Sequence, residues 1–142
     1  MGIPSPVKIK KNGVEFVSNV DRANYTIREL SRAALKDVAR LIKRRTKQKI
    51  RKRTGNLAFN TQHWVRKQEC DLLVGFKPGG WYGIFQEFGS ETTPKIGALY
   101  NSTKENIETI RDIEAMYLSA IEDEQRALSL IDESEEIGSD YE

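Results

Sequence analysis

Residues 53–90 constrain the fold most, because two short apolar runs lie there between segments rich in turn-forming residues. Residues 57–66 and 70–76 alternate apolar and polar side chains, a pattern typical of strands. The turn sequence Lys77-Pro78-Gly79-Gly80 then precedes an aromatic run over residues 82–88. We therefore expect three strands in this part of the chain, joined by turns that permit a small antiparallel sheet.

A long amphipathic helix is predicted before this sheet, beginning between Asp21 and Thr26. Its apolar residues recur at three- and four-residue steps, which places them on one stripe: Ile27, Leu30, Ala34, Val38 and Leu41. The last turns are rich in lysine and arginine, which suits the negative end of the helix dipole. Gly55 is the residue expected to end the helix.

A second helix is predicted in the C-terminal part of the chain, where an apolar stripe recurs at helical spacing: Ile107, Ile110, Ile113, Tyr117 and Ile121. From residue 131 the chain is acidic with little apolar content, so residues 131–142 are expected to form a disordered tail. The prediction is thus an α+β domain over residues 21–130. A long N-terminal helix and a C-terminal helix would pack on a small, mostly antiparallel β-sheet.

Residues 1–20 are expected to form an N-terminal arm or a hairpin. Two apolar-containing runs, Val7–Lys11 and residues 14–17, flank Asn12-Gly13. Asparagine and glycine both accept the positive φ angles of a tight hairpin turn. A hairpin at the edge of the main sheet is one interpretation, and a mobile arm is the other.

The charge distribution is strongly polar along the chain, although the net charge is only +2. Residues 28–53 hold twelve lysines and arginines against two acidic residues, whereas residues 105–142 hold thirteen acidic residues against two basic ones. Such asymmetry concerns partners and assembly more than fold. It favours head-to-tail contacts between copies, or pairing of the two helical regions within one copy.

Side chains with catalytic potential are few and occur outside recognisable motifs. His63 is the sole histidine and Cys70 the sole cysteine, so an intrachain disulfide is excluded and a zinc site is not expected. Cys70 as a nucleophile beside His63 is one hypothesis, and a buried structural thiol is the favoured one. Glu87 and Glu91 lack the support that a catalytic carboxylate pair needs. We expect no cofactor, no metal, no membrane span and no enzymatic activity; a toxin-like or nuclease enzyme is the least favoured class.

Two motifs carry a resemblance to a known family. Arg53-Thr54-Gly55-Asn56-Leu57 follows the basic helix, and an aromatic segment ends in Glu87-Phe88-Gly89-Ser90 before a proline and a further helix. This order resembles the tail-completion, or head-to-tail joining, proteins of long-tailed lambdoid-type phages, which are minor tail or neck components. The resemblance covers roughly residues 21–121.

The resemblance implies a non-enzymatic structural protein of the virion neck, made in the host bacterial cytoplasm. It implies a homo-oligomeric ring, with a hexamer as the expected size. The implied partners are a head-side connector or stopper protein and a tail terminator or tail tube protein, with DNA passing through the lumen.

The candidate assembly residues lie in the basic helix end and the glutamate-containing corner: Arg44, Arg45, Lys47, Arg51, Arg53, Glu87, Phe88 and Gly89. In the corner, Phe88 is expected to anchor the strand end in the core and Gly89 to allow a sharp turn. Glu87 is expected to reach a lysine or a backbone donor. The alternative function is a small basic nucleic-acid-binding protein that uses residues 43–53, whose binding would depend on salt.

Overall fold

The structure, a computed structural model, describes residues 2–51 and 54–139. Helix α1 (Val20–Lys49) is the longest element, and the strand pair over residues 61–76 and the three C-terminal helices pack against it. The other elements are strands β1 (Val7–Lys11), β2 (Val14–Ser18), β3 (Thr61–Arg66) and β4 (Asp71–Phe76), and helices α2 (Asn56–Phe59), α3 (Gly83–Phe88), α4 (Ala98–Glu105), α5 (Ile107–Leu118) and α6 (Glu124–Ser139). A short 3₁₀ turn covers Pro78–Gly80.

The α+β prediction is confirmed, with a long N-terminal helix, a C-terminal helix and antiparallel pairing. Strands β3 and β4 pair antiparallel from Thr61↔Phe76 to Arg66↔Asp71, and one side of this pair packs on α1. The predicted third strand over residues 82–88 is wrong, because most of that run forms α3. The predicted strand over residues 57–66 begins only at Thr61, since the residues before it form α2.

Helix α1 begins at Val20, slightly before the predicted range, and ends at Lys49 because Ile50 adopts an extended backbone. Gly55 therefore does not end this helix. It lies immediately before α2 instead, with φ +77°, a left-handed conformation that glycine adopts without the penalty of a Cβ atom.

The main core joins α1 to α5 and α6. Its buried members are Leu30, Ala33, Ala34, Tyr117, Ala120, Ala127 and Ile131. Tyr117 is only 4% exposed, and its hydroxyl donates a hydrogen bond to Asp37. The same carboxylate accepts a hydrogen bond from Arg40 at 2.6 Å. Burial and the bond to Asp37 both raise the pKa of Tyr117, so this residue remains a neutral donor inside the core.

As far as residue 139, the C-terminal part forms three successive helices, and the predicted stripe lies in the second of them except for Ile121. The chain breaks at Asn106 and again between Leu118 and Glu124. At the second break, Asp123 Oδ1 accepts hydrogen bonds from the backbone of Gln125 (3.1 Å) and Arg126 (3.2 Å). This carboxylate starts α6 by satisfying backbone donors that a helix N-terminus leaves free.

The prediction of a disordered tail from residue 131 is wrong over residues 131–139, which belong to α6. Ile131 and Ser134 are buried, and the Arg40 side chain donates a hydrogen bond to the Ser134 carbonyl at 2.8 Å. Ala127, Ile131 and Ser134 recur at helical spacing, which is enough to direct one face of an otherwise acidic helix onto α1. Residues 140–142 lie outside the described part of the chain.

Residues 7–18 form the predicted N-terminal hairpin, strands β1 and β2, rather than an arm without regular structure. Asn12 and Gly13 have φ angles of +52° and +79°, as a tight turn of this kind requires. The hairpin forms a sheet of its own, so the expectation that it lies at the edge of the main sheet is wrong. Apart from their pairing with each other, neither β1 nor β2 packs extensively against another element.

Candidate assembly surfaces

The two motif segments meet in one junction between α2, the 3₁₀ turn and α3. The Asn56 side chain donates hydrogen bonds to the Gly79 carbonyl (3.2 Å) and the Tyr82 hydroxyl (3.0 Å). Asn60 in turn donates to the Asn56 carbonyl at 2.8 Å. The two bonds donated by Asn56 join segments that are more than twenty residues apart in sequence, so the asparagine of the first motif acts as a structural link.

Leu57 forms the apolar centre of this junction and is 3% exposed. Its cluster includes the buried Ile50 and Ala98, with Phe76 and Tyr82 packed against it. A Cβ atom added at Gly83 would lie 2.7 Å from Phe76 Cδ2 and 2.8 Å from Leu57 Cδ1. The close approach of α3 to Leu57 therefore requires glycine at this position.

Gln86 connects the end of α1 to the loop before α4. Its side-chain oxygen accepts a hydrogen bond from the Arg51 backbone at 3.1 Å, and its carbonyl accepts one from the Ile96 backbone at 2.7 Å. Neither Asn56 nor Gln86 has an assigned role in the sequence prediction. Each is an amide side chain within a motif segment and next to an apolar residue. This position is the sequence feature that could have indicated a structural role.

Glu87 accepts hydrogen bonds from two backbone N–H groups. A backbone donor is one of its two predicted partners. Its carboxylate oxygens accept hydrogen bonds from the backbone of Leu99 and Tyr100, each at 3.0 Å. Both donors lie in the first turn of α4, where backbone N–H groups have no partner within the helix. The negative charge also interacts favourably with the positive end of the helix dipole. Glu87 therefore caps α4 from a distant part of the sequence.

Replacing Glu87 with glutamine is expected to lower the free energy of unfolding by about 1 kcal/mol. The amide keeps the size of the side chain but loses its charge and one of its two acceptor oxygens. Chemical denaturation monitored by circular dichroism measures the change. Glu91→Gln is the matched control, because Glu91 is exposed and the expected change is close to zero. Equal stability of the two variants would contradict the capping role.

Phe88 and Gly89 differ in how far they meet expectation. Phe88 is 72% exposed, so its predicted role as a core anchor is wrong; it lies at the end of a helix instead of a strand, on the surface. Gly89 makes the predicted sharp turn, with φ +82° and ψ 163°, a combination almost confined to glycine. A Cβ atom there would lie 3.2 Å from the Lys95 backbone nitrogen.

The basic helix end is partly neutralised within the chain. Lys49 forms an ion pair with Glu105 at 2.6 Å, which is the predicted pairing of the basic and acidic regions. Lys43 is half-buried and lies 3.3 Å from Gln62 Oε1. Burial, and then the charges of Lys47 and Lys77, lower the pKa of Lys43. This part of the helix end therefore contributes to packing.

The remaining candidate basic residues are available to a partner to different degrees. Arg44, Arg45 and Arg51 are exposed, and Lys47 is half-buried. Within the described ranges, the side chains of Arg44 and Arg45 form no ion pair. Arg53 lies outside the described residues. The exposed arginines thus leave positive charge near the C-terminal end of α1 available to a partner.

His63 and Cys70 do not form a catalytic pair. His63 pairs with Val74 in the sheet, whereas Cys70 lies beyond the Arg66↔Asp71 pair. Three residue steps along a strand correspond to about 10 Å, which is too far for direct proton transfer. Cys70 is partly buried, with its Sγ 3.7 Å from the Lys67 carbonyl oxygen. The arrangement agrees better with a structural thiol than with a nucleophile.

Stability is expected to fall as the pH is lowered below about 6.5, partly because of His63. Burial, and then the charges of Lys43 and Arg40, lower the pKa of His63. Folding therefore favours the neutral imidazole. Its contribution is complete above the unfolded pKa of about 6.5 and is lost as the pH falls toward the lower folded pKa. Thermal unfolding across this range should show a smaller loss in His63→Gln than in the unchanged chain; equal losses would contradict the assignment.

An apolar surface lies on the outer side of the junction. The exposed members are Trp81, Ile84, Phe85 and Phe88. Trp81 makes edge-to-face contacts with Tyr82 and Phe85, with ring centroids 6.0 Å apart in each pair. The paired residues Trp64 and Leu73 are also exposed, on β3 and β4. Groups of exposed apolar side chains are characteristic of protein-interaction surfaces.

Across the described residues, no group of three or more histidine, cysteine or acidic side chains is placed to hold a metal ion. None of the helices described is both long and apolar enough to cross a membrane. No protein-family model, curated protein or solved structure matches the chain.

Proposed function

We propose that this chain is a non-enzymatic structural protein of a phage neck, which joins the head connector to the tail as a homo-oligomeric ring. The observation that supports the proposal most is the junction around Leu57. The two segments that carry the family resemblance meet there, and Asn56, Gln86 and Glu87 are all engaged in hydrogen bonds that hold the fold. Motif residues that stabilise the fold through hydrogen bonds support a structural role for the protein.

In this proposal, the junction presents surfaces for assembly. It fixes α3 against α2 and α4, so that Trp81, Ile84, Phe85 and Phe88 face outward on a rigid base. A ring of copies would place such surfaces against neighbouring copies or against a head-side connector or stopper. A tail terminator or tail tube protein would occupy the opposite side of the ring. The protein would reside in the virion.

A second candidate function is nucleic-acid binding through the basic helix end. The exposure of Arg44 and Arg45, without ion pairs in the described ranges, favours it. Titration of labelled duplex DNA at increasing salt tests this function, because phosphate contacts release counterions. Binding that survives physiological salt and is lost in Arg44→Ala/Arg45→Ala would support it. Loss of binding at moderate salt would leave only generic charge attraction.

Electron microscopy of particles from a phage that lacks this gene tests the neck role. The expected result is DNA-filled heads and separate, finished tails that have not joined. Supplying the unchanged gene from a plasmid should restore complete particles. Normal infectious particles in the absence of the gene would overturn the proposal.

A further inference from the structure

One side of the β3–β4 pair packs on α1, and the other side is turned to solvent. Directly paired residues of an antiparallel pair lie on the same side, and successive residues alternate between the two sides. Thr61 is fully buried, so its side faces the core. The pairs Gln62↔Gly75 and Trp64↔Leu73 therefore lie on the opposite side, which we call the outer sheet face.

The outer sheet face presents an exposed aromatic ring beside an open surface. Trp64 is 44% exposed and its partner Leu73 is 48% exposed. A Cβ atom added at Gly75 would meet no other atom within 4 Å, so the surface next to this pair is free of side chains. A tryptophan in such a position offers its ring to a flat aromatic group of a ligand.

Three lysines surround the end of this face that lies nearest to Gln62. The ammonium nitrogen of Lys43 lies 3.3 Å from Gln62 Oε1, and Lys47 follows one turn later on the same side of α1. Lys77 comes two residues after Gly75, and strand alternation places it on the outer sheet face. Burial, and then the nearby charges of Lys47 and Lys77, lower the pKa of Lys43, which agrees with a cluster of like charges.

The positive charge of this cluster is not balanced by acidic groups of the described chain. Residues 38–68 contain no aspartate or glutamate. Within the described ranges, none of the three lysines forms an ion pair. Asp71, at the far end of the outer sheet face, pairs with Arg66, and Glu105 of α4 pairs with Lys49. A bound polyanion would therefore relieve repulsion among the lysines.

We propose that the outer sheet face binds single-stranded nucleic acid, with bases stacked on Trp64 and phosphates held by the three lysines. Exposed aromatic rings next to basic side chains are the combination that binds single strands without sequence preference. The bases of a duplex stack on one another and leave no free face for Trp64. The inference rests on the second candidate function, nucleic-acid binding, and assigns it a surface different from Arg44 and Arg45.

Fluorescence with a labelled oligothymidylate of about twelve nucleotides tests the stacking. The chain has two tryptophans, and Trp81 is 69% exposed just before α3, so it provides a matched control. In Trp81→Leu, the affinity measured by anisotropy should be unchanged, and unlabelled probe should quench the emission of Trp64. In Trp64→Leu, the affinity should fall about tenfold, and the emission of Trp81 should stay constant. A duplex of the same length should bind several-fold more weakly at physiological salt.

The salt dependence of binding tests the lysines. Each phosphate contact on a single strand contributes about 0.7 to the slope of log affinity against log salt. Lys43→Gln/Lys77→Gln should therefore weaken binding and reduce this slope by about 1.4. Lys8→Gln/Lys10→Gln is the matched control, because it removes the same charge from the N-terminal hairpin, which forms a separate sheet. The slope of this control should equal that of the unchanged chain, and all variants should retain its circular dichroism spectrum.

Three results would overturn the proposal: equal affinities of Trp64→Leu and Trp81→Leu, equal slopes of the two lysine variants, or displacement of the probe by polyglutamate as readily as by unlabelled oligothymidylate. Loss of binding in Arg44→Ala/Arg45→Ala, with no effect of Trp64→Leu, would reject the outer sheet face and keep the second candidate function. The absence of binding to both oligothymidylate and duplex would reject both.

Discussion

Deletion of residues 131–142 is expected to lower the free energy of unfolding by about 3–5 kcal/mol. The deletion removes Ile131 from the core formed with Leu30 and Tyr117. It also removes the Ser134 carbonyl, which accepts a hydrogen bond from the part-buried Arg40 side chain. Apolar surface on α1 and α5 would become exposed to water, and Arg40 would lose one of its two hydrogen-bond partners, both of which lower stability.

Urea denaturation of the truncated and unchanged chains measures this effect. Glu135→Ala is the control, because Glu135 is exposed on the same helix and its replacement should change stability by less than about 0.5 kcal/mol. If truncation leaves the urea midpoint unchanged, the acidic segment lies outside the folded domain and α6 does not stabilise it.

The second large effect is expected for Leu57→Ala, with a loss of about 3 kcal/mol in the free energy of unfolding. Leu57 is the buried centre of the motif junction, and its removal leaves a cavity against Phe76 and Gly83. The surrounding segments are tied by the Asn56 and Gln86 hydrogen bonds, so they have little freedom to close the cavity.

Phe59→Ala is the matched control for Leu57→Ala, since Phe59 lies on the same short helix and is 75% exposed. Its replacement should change stability by less than about 0.5 kcal/mol. Thermal and urea unfolding of both variants distinguish them. A larger loss in Phe59→Ala than in Leu57→Ala would reject the junction as the structural centre of the two motifs.

Elements specified by local chemistry are predictable from the sequence. Asn12-Gly13 encodes a turn through its tolerance of positive φ, and the hairpin forms around it. Helix α1 follows from a continuous apolar stripe, because such periodicity persists over several turns. Strands β3 and β4 also form where alternation is clear, with a four-residue error at the start of β3 and a one-residue error at the start of β4.

Helix α3 could not be predicted in the same way. Its six residues are too few for apolar spacing to distinguish a helix from a strand, and aromatic residues favour strands in general. The helix forms because tertiary packing determines it: Gly83 fits closely against Leu57 and Phe76. The outward position of Phe88 follows from this helix, which is why its predicted core role fails.

In the C-terminal region, apolar spacing alone predicts neither the helix boundaries nor the buried face of α6. The stripe from Ile107 to Ile121 predicts a helix here, but both end residues are exposed, and the spacing does not reveal that the chain turns after Leu118. Asp123 provides a capping signal there, although many aspartates in acidic segments cap nothing. The buried face of α6 is also difficult to predict from the sequence, because its buried residues Ile131 and Ser134 have acidic neighbours in the chain.

The candidate site could also be predicted only in part. A backbone donor was one of the two predicted partners of Glu87, because residues at a tight corner of the chain lie near the ends of helices. Its actual partners, Leu99 and Tyr100, depend on the path of the loop before α4. The pairing of Lys49 with Glu105 was similarly foreseeable as charge complementarity but not as a specific contact. The interpretation of these residues as parts of a neck protein comes from the resemblance and stays a proposal.

Complementation in extracts tests the central claim most directly. Purified protein is added to a lysate of cells infected with a phage that lacks the gene, and infectious particles are counted. The proposal predicts that the unchanged chain joins the waiting heads and tails and raises the titre, whereas Leu57→Ala restores far fewer particles. A titre that stays at the level of the untreated lysate, when the plasmid-borne gene restores infectivity in cells, would contradict a direct joining role.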